Sequence, residues 1–231
     1  MFEAKPAYLA VNEYHLTTAQ CQKFENVLKL ISVFILVNNS FSEHINTLVS
    51  AKTIMDSYQF DIFHSVKDFN HLNNLKYSIV IIYVNIRKIH NNHYNKLKDF
   101  VKNGGSLLSL HSSTNSFRNQ PSSLDILGAS FVRHGSIRKY KIHRIATSEI
   151  FSNCINEFEI EDELFRQEYH PEIKIHYQYK GRSVIEPIIW SKIFGKGKIV
   201  GISPGHRIET FQNTHYRQII QKSLKWLSKK P

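Results

Sequence analysis

Two segments put proton-moving side chains directly behind buried strands. Gly104-Gly105-Ser106-Leu107-Leu108-Ser109-Leu110-His111-Ser112-Ser113 sets a histidine and two hydroxyls after an apolar run, and Gly201-Ile202-Ser203-Pro204-Gly205-His206 sets a histidine after another. Imidazole titrates near neutrality and both takes and gives protons. In an open parallel sheet, ligands collect outside the carboxyl ends of the strands, so polar residues just after strands have first claim to function. Ser112 offers a hydroxyl that could donate a hydrogen bond, or attack as a nucleophile with His111 or His206 in reach. The chain carries 13 histidines, so most are ordinary surface residues and only position singles these out. Cys21 and Cys154 lie far apart with no CxxC spacing, which gives no support to a disulfide framework or a thiolate metal site. The available chemistry is therefore that of histidines and carboxylates.

The elements that must hold these residues are those of an α/β protein with a mostly parallel sheet flanked by helices. Val33 to Val37, Ile79 to Val84 and Leu107 to Leu110 read as strands apolar on both faces, with Phe60 to Phe63 a weaker fourth. Between them, Ile45, Leu48, Val49, Lys52 and Met55 keep a mostly apolar stripe at helical spacing, as do Tyr94, Leu97, Phe100 and Val101. The second helix stops at Asn103-Gly104-Gly105. After residue 113 the pattern loosens into a loop-rich stretch, Tyr140 to Ile145 alternates, and Glu157 to Glu163 is acidic. Pro187 to Trp190 and Ile199 to Ile202 read as strands joined through Gly195-Lys196-Gly197, and a last amphipathic helix carries Tyr216, Ile219, Ile220, Leu224 and Leu227. Residues 1–31 precede the first core strand and form an extension with one amphipathic helix (Phe24, Val27, Leu28, Ile31), expected to pack on the sheet or on a partner subunit of a homo-oligomer. Residues 32–231 form a single domain.

Composition narrows the classes. Hydrophobic residues are 42% and charged residues 21%, ordinary globular usage. The longest apolar run, Ile79 to Val84, is far short of the roughly 20 residues a bilayer span needs, and no basic segment leads into an apolar stretch at the N-terminus, so a cytoplasmic protein without a membrane partner is expected. The net charge of +11 raises an anionic partner by long-range attraction. No nucleic-acid motif accompanies it, and abundant Lys, Asn and Ile also follow from mutational bias, so the expectation is against nucleic acid.

Gly104-Gly105 through Leu110-His111-Ser112, Leu127-Gly128 with Phe131 and His134, Asp162-Glu163-Leu164-Phe165, Pro187 to Trp190, Gly195-Lys196-Gly197-Lys198 and Gly205-His206 together resemble the ThuA-like family. That family is named for trehalose utilisation and has the class I glutamine amidotransferase-like fold, a three-layer, flavodoxin-like arrangement. The resemblance spans roughly residues 32 to 228, and Phe41-Ser42-Glu43-His44 resembles the family's early histidine-bearing loop. Amidotransferase relatives carry a cysteine nucleophile on the turn occupied here by Leu110-His111-Ser112, so glutamine hydrolysis through a thioester is not expected. His206 stands where the relatives carry the triad histidine; the acidic residue two positions on is replaced by Ile208, with Glu209 one step later.

The resemblance implies that His111, His134, Glu163 and His206 gather near the carboxyl edge of the sheet as the catalytic set, with His44, Ser112, Trp190 and Glu209 as substrate contacts. Trp190 could stack on a pyranose face, or be core, since it ends an apolar strand. Asp162 reads as a helix cap. No cofactor is expected, although three histidines and a glutamate also suit a divalent metal; no HxxxH or HxH pair fixes two ligands on one element. Arg133, Arg138, Lys139, Lys141 and Arg144 crowd one segment, read either as an anion-attracting rim or as an edge strand protected by lysine. The leading expectation is acid-base chemistry on a glycoside or oxidised sugar derivative without a cysteine nucleophile. The rival is a catalytically silent module holding an anionic metabolite or a protein partner.

Overall fold

β1 (Ile31–Val37, sequence ISVFILV) is buried from Val33 onward and pairs in parallel with β2 (Tyr58–Phe63) on one side and β3 (Ile79–Tyr83) on the other. β3 pairs in parallel with β4 (Ser106–Leu110), and β4 with β11 (Gly197–Ile202), giving the order β2-β1-β3-β4-β11. The computed structural model describes residues 31–229 apart from 51–56 and 88. The helix expected from Phe24, Val27 and Leu28 lies outside those residues, and Ile31, grouped with it from sequence, instead opens β1.

Continuous apolar strands follow from burial on both faces. Val33, Ile35, Ile79, Ile81, Leu108 and Val200 point into one apolar cluster, shared with α1 (Ser42–Val49) and α6 (Thr214–Leu227). Phe34, Leu36, Val80, Ile82, Leu107 and Ile199 point into the other, shared with α2 (Asn91–Lys102). The α1 stripe is observed through Val49, whereas Lys52 and Met55 fall outside the described residues. Asn213 starts α6 by accepting from the backbone N–H groups of His215 and Tyr216. No described helix is long and apolar enough to cross a membrane.

The rest of the sheet is antiparallel. β11 pairs with β10 (Ile185–Phe194) through the turn at Gly195, whose φ of 60° suits glycine and where a Cβ would lie 2.6 Å from the Lys102 carbonyl. Beyond β10 come β9 (Lys174–Lys180), β6 (Arg138–Arg144) and β7 (Glu157–Asp162), while β5 (Ala129–His134) and β8 (Phe165–Tyr169) form a separate two-stranded ribbon. Two short helical turns, α3 (Ser113–Ser116) and α4 (Ser123–Leu127), connect β4 to β5, and α5 (Ile208–Gln212) follows β11. The stretch that reads as loop-rich therefore holds several strands, short and exposed on one face.

Two of these strands correct the reading of the basic segment. β6 lies between β9 and β7, so β7 is the edge. The register sets Lys139 opposite Glu161, Lys141 opposite Glu159 and His143 opposite Glu157. Glu157 takes Lys141 at 2.7 Å and His143 at 3.0 Å, so the basic stripe is matched by its acidic neighbour rather than presented to an anion.

β4 and β7 are five strand steps apart in the sheet order, about 24 Å in a flat sheet. Yet His111 behind β4 and Glu163 behind β7 come within 3.6 Å. The antiparallel half thus curls back over the carboxyl edge of the parallel half, and this closure creates the site.

Candidate active site

His111 occupies the turn from β4 into α3 with φ at 47°, a left-handed conformation that costs a non-glycine residue about 1–2 kcal/mol. Several contacts hold it there. Its N–H donates to the Ile202 carbonyl at 2.8 Å, its ring lies 4.4 Å from that of Phe165, and the residue is 3% exposed. Gly205 packs against it, with φ at 144° and a position where a Cβ would lie 3.2 Å from the His111 Cβ. His111 Nδ1 sits 3.0 Å from the Ser203 carbonyl oxygen. A carbonyl only accepts, so Nδ1 carries the proton and Nε2 turns a lone pair toward the cleft. Burial pushes the pKa of His111 down to about 4, which keeps the ring neutral at neutral pH.

The hydroxyls after His111 are structural. Ser112 Oγ donates to the Val84 carbonyl at 3.0 Å, Ser116 Oγ to the same carbonyl at 2.9 Å, and Ser113 Oγ to that of Ile82 at 2.9 Å, tying α3 to the end of β3. Ser112 lines the cleft, but its proton points to the backbone and not to an imidazole, so the nucleophile reading is corrected.

The loop behind β11 is held from several directions. The Ser203 carbonyl takes His111, that of Pro204 takes the Tyr216 hydroxyl at 2.9 Å, that of Gly205 takes the Tyr83 hydroxyl, and that of His206 takes His44 Nε2 at 3.3 Å. On the donor side, the N–H groups of Gly205, His206 and Arg207 reach the Asp162 carboxylate at 3.1, 3.0 and 3.4 Å, and the Thr210 hydroxyl donates to it as well. Asp162 also accepts the N–H of Glu163 at 2.7 Å and is fully buried. One carboxylate therefore sets the backbone of both His206 and Glu163. Asp162, read from sequence as a helix cap, instead ends β7 and braces the 205–207 loop ahead of α5, whose N-cap Arg207 makes no side-chain capping bond. A signal for it exists in the sequence, since β7 alternates with Phe158, Ile160 and Asp162 inward, and a charge at an inward position needs partners.

Glu163 is the point of convergence. Its Oε2 lies 3.6 Å from His111 Nε2 and 3.6 Å from His206 Nδ1, and its Oε1 lies 3.4 Å from His134 Nδ1. Tyr140 donates to its carbonyl at 3.2 Å. The side chain is 13% exposed, whereas His134 and His206 are each 42% exposed at the mouth. His134 Nδ1 also lies 2.8 Å from the Gly135 carbonyl. With Phe41, Asn85, Phe131 and Phe165, these residues wall a cavity of about 170 Å³. Two larger grooves, about 350 and 450 Å³, lie along α6 near Lys222 and Lys225 and have no histidine among their walls.

The other sequence candidates fall outside the cavity. Trp190 is fully buried and donates through Nε1 to the Leu127 carbonyl at 2.8 Å, so it is core and offers no face to a sugar. Glu209 is exposed and paired with Arg207 at 2.9 and 3.0 Å, which pulls its carboxyl pKa down to about 2. His44 packs edge-on against Phe41, Tyr83 and Phe211 and holds the His206 carbonyl; burial lowers its pKa. It holds the His206 backbone and does not line the cavity.

Comparison with known proteins agrees with this architecture. The family model described as ThuA, trehalose utilisation, matches residues 32–227. A putative ThuA-like protein from Bacteroides uniformis superposes with a TM-score of 0.72 at 14% identity, covering 85% of this chain and 91% of that chain. A cytoplasmic protein from Salmonella typhimurium superposes at 0.67 with 10% identity, covering 86% of this chain and 100% of that one. A β-galactosidase from Bacillus circulans shares the fold at 0.62 and 11% identity, over 90% of this chain and 33% of its own. Among curated proteins none matches the chain in sequence.

Proposed function

The chain belongs to the ThuA family, described as trehalose utilisation, and on that premise we propose that its cleft receives a glycoside or an oxidised sugar derivative and moves a proton on it with Glu163 and the surrounding imidazoles. The observation that carries this reading is the convergence of His111, His134 and His206, from three separate elements, on one carboxylate inside one cavity. A silent module has no need for such a meeting of proton carriers. The parallel order β2-β1-β3-β4-β11, apolar on both faces, supports a three-layer, flavodoxin-like architecture with His111 at the turn where amidotransferase relatives hold cysteine. Among the described residues the cysteine is Cys154, whose thiol sits in the apolar cluster and away from the cavity walls, which supports chemistry without a cysteine nucleophile.

The cavity is smaller than the roughly 300–1,000 Å³ of typical ligand pockets. It suits the reacting end of one sugar ring, with the remainder of a glycoside outside. In the proposed step Glu163 accepts a proton from a hydroxyl, or from a carbon next to a carbonyl, and an imidazole at the mouth returns one to the oxygen that gains charge. We place the protein in the cytoplasm, as its Salmonella relative is described.

The test is incubation with a panel of glycosides and keto-glycosides in D2O, followed by NMR for deuterium incorporation or product. Turnover by the parent chain that Glu163→Gln abolishes and Cys154→Ala leaves intact is the expected result. Turnover retained in Glu163→Gln, or none by the parent on any member of the panel, would remove the proposal and favour the silent module.

A further inference from the structure

His111, Glu163 and His206 are spaced too widely to satisfy one another and closely enough to share something else. Their three ligand atoms all lie within 4.8 Å of one another. The contacts from Glu163 Oε2 to His111 Nε2 and to His206 Nδ1 are both 3.6 Å, beyond the 2.7–3.2 Å range of ordinary hydrogen bonds. Two atoms that each bind one ion at about 2.1 Å in tetrahedral geometry stand about 3.4 Å apart. The observed edges are therefore close to those of a coordination shell.

The orientation of His111 points the same way. Its Nδ1 proton is committed to the Ser203 carbonyl, so Nε2 presents a lone pair to the Glu163 carboxylate across 3.6 Å. Lone pair against carboxylate oxygen is repulsive unless something positive lies between them. A backbone carbonyl on the non-ligating nitrogen is the outer-shell arrangement that orients metal-binding histidines. The backbones of the other two ligands are fixed as well, since Asp162 accepts the N–H groups of both Glu163 and His206 and His44 holds the His206 carbonyl.

We propose that His111, Glu163 and His206 form the binding site of a divalent transition-metal ion, with zinc as the best match to two imidazoles and one carboxylate and with remaining coordination positions open to the cavity. Placed there, the ion would polarise a sugar carbonyl or hydroxyl oxygen. Glu163 would bind through Oε2 and keep Oε1, 3.4 Å from His134, for the proton step, while His134 stays outside the set as the proton carrier at the mouth. The inference deepens the sugar reading by naming what activates the substrate oxygen, yet ion binding itself needs no sugar to be measured.

The experiment uses the full chain, stripped with a chelator, exchanged into chelator-free buffer and titrated calorimetrically with Zn2+, with Co2+ as a spectroscopic probe. One equivalent bound with a Kd of micromolar or tighter is expected, together with the visible absorption of low-coordinate Co2+. Glu163→Gln and His206→Ala should each weaken binding by 100-fold or more while leaving the far-UV circular dichroism unchanged. His143→Ala, on the surface of β6, should leave it unaltered, which separates this site from incidental binding by surface histidines. No stoichiometric binding, or binding equal in parent, Glu163→Gln and His206→Ala, would overturn the metal site. Sugar turnover by the stripped chain would overturn the ion's activating role and leave the sugar reading standing, whereas tight metal binding without turnover of any sugar would overturn the sugar reading and leave the metal site standing.

Discussion

Replacing Asp162 with asparagine changes one oxygen to an NH2 group at the junction of the whole site. The carboxylate accepts five donors, with Glu163 N and His206 N on Oδ1 and Gly205 N, Arg207 N and the Thr210 hydroxyl on Oδ2. An amide can turn either way. With NH2 on the Oδ1 side, the N–H groups of Glu163 and His206 lose their acceptor. With NH2 on the Oδ2 side, those of Gly205 and Arg207 lose it, while the Thr210 hydroxyl rotates and accepts. Either way two backbone donors are left facing a donor, at about 1–3 kcal/mol each for a buried unsatisfied group. The variant should thus lose about 2–6 kcal/mol, read as a lower urea midpoint at unchanged slope. Hydrogen exchange locates the loss, since the amides of 205–207 should lose protection while those of β1 and β3 keep it relative to global stability. An unchanged midpoint with intact protection at 205–207 would refute the claim that Asp162 organises the His206 and Glu163 backbones.

Two further outcomes follow from buried side chains away from the cavity. His176 is fully buried, held by the hydroxyls of Ser148 and Ser191 at 2.8 Å each, and burial, helped by nearby Lys174, pushes its pKa down to about 4. Below the ordinary pKa near 6.5 the unfolded chain takes up a proton that the folded chain refuses, so this contribution is full above pH 6.5 and lost as pH falls toward 4, at about 1.4 kcal/mol per pH unit and about 3 kcal/mol in all. Denaturation from pH 7 to 4 should therefore show a shallower decline for His176→Gln than for the parent, and parallel curves would contradict this. Trp190→Phe removes the donor to the Leu127 carbonyl and part of the core, so about 2–4 kcal/mol of stability should go while affinity for any sugar the parent binds stays put; selective loss of sugar binding would instead restore the stacking role.

The sequence alone determined the parallel half of the fold, because strands buried on both faces must be apolar throughout and VFILV and IVIIYV are. It also pointed to His111 and His206, since a polar residue right behind such a strand lies at the carboxyl edge whatever the rest of the chain does. Motif resemblance added His134 and Glu163, but it also offered Trp190 as a substrate contact, where one hydrogen bond and complete burial make it core. Beyond the alternation at Tyr140 to Ile145, the antiparallel half stayed hidden because β5 to β9 carry polar and charged residues on their exposed faces and β5, β6 and β7 pair with strands distant in sequence, which local periodicity does not record. What only the tertiary structure decided is the meeting of the four residues. The curl that brings β7 over β4, and the Asp162 contacts that lock the loop behind β11 to Glu163, join residues more than forty positions apart, and such closure depends on summed packing and twist, not on any single stretch of chain.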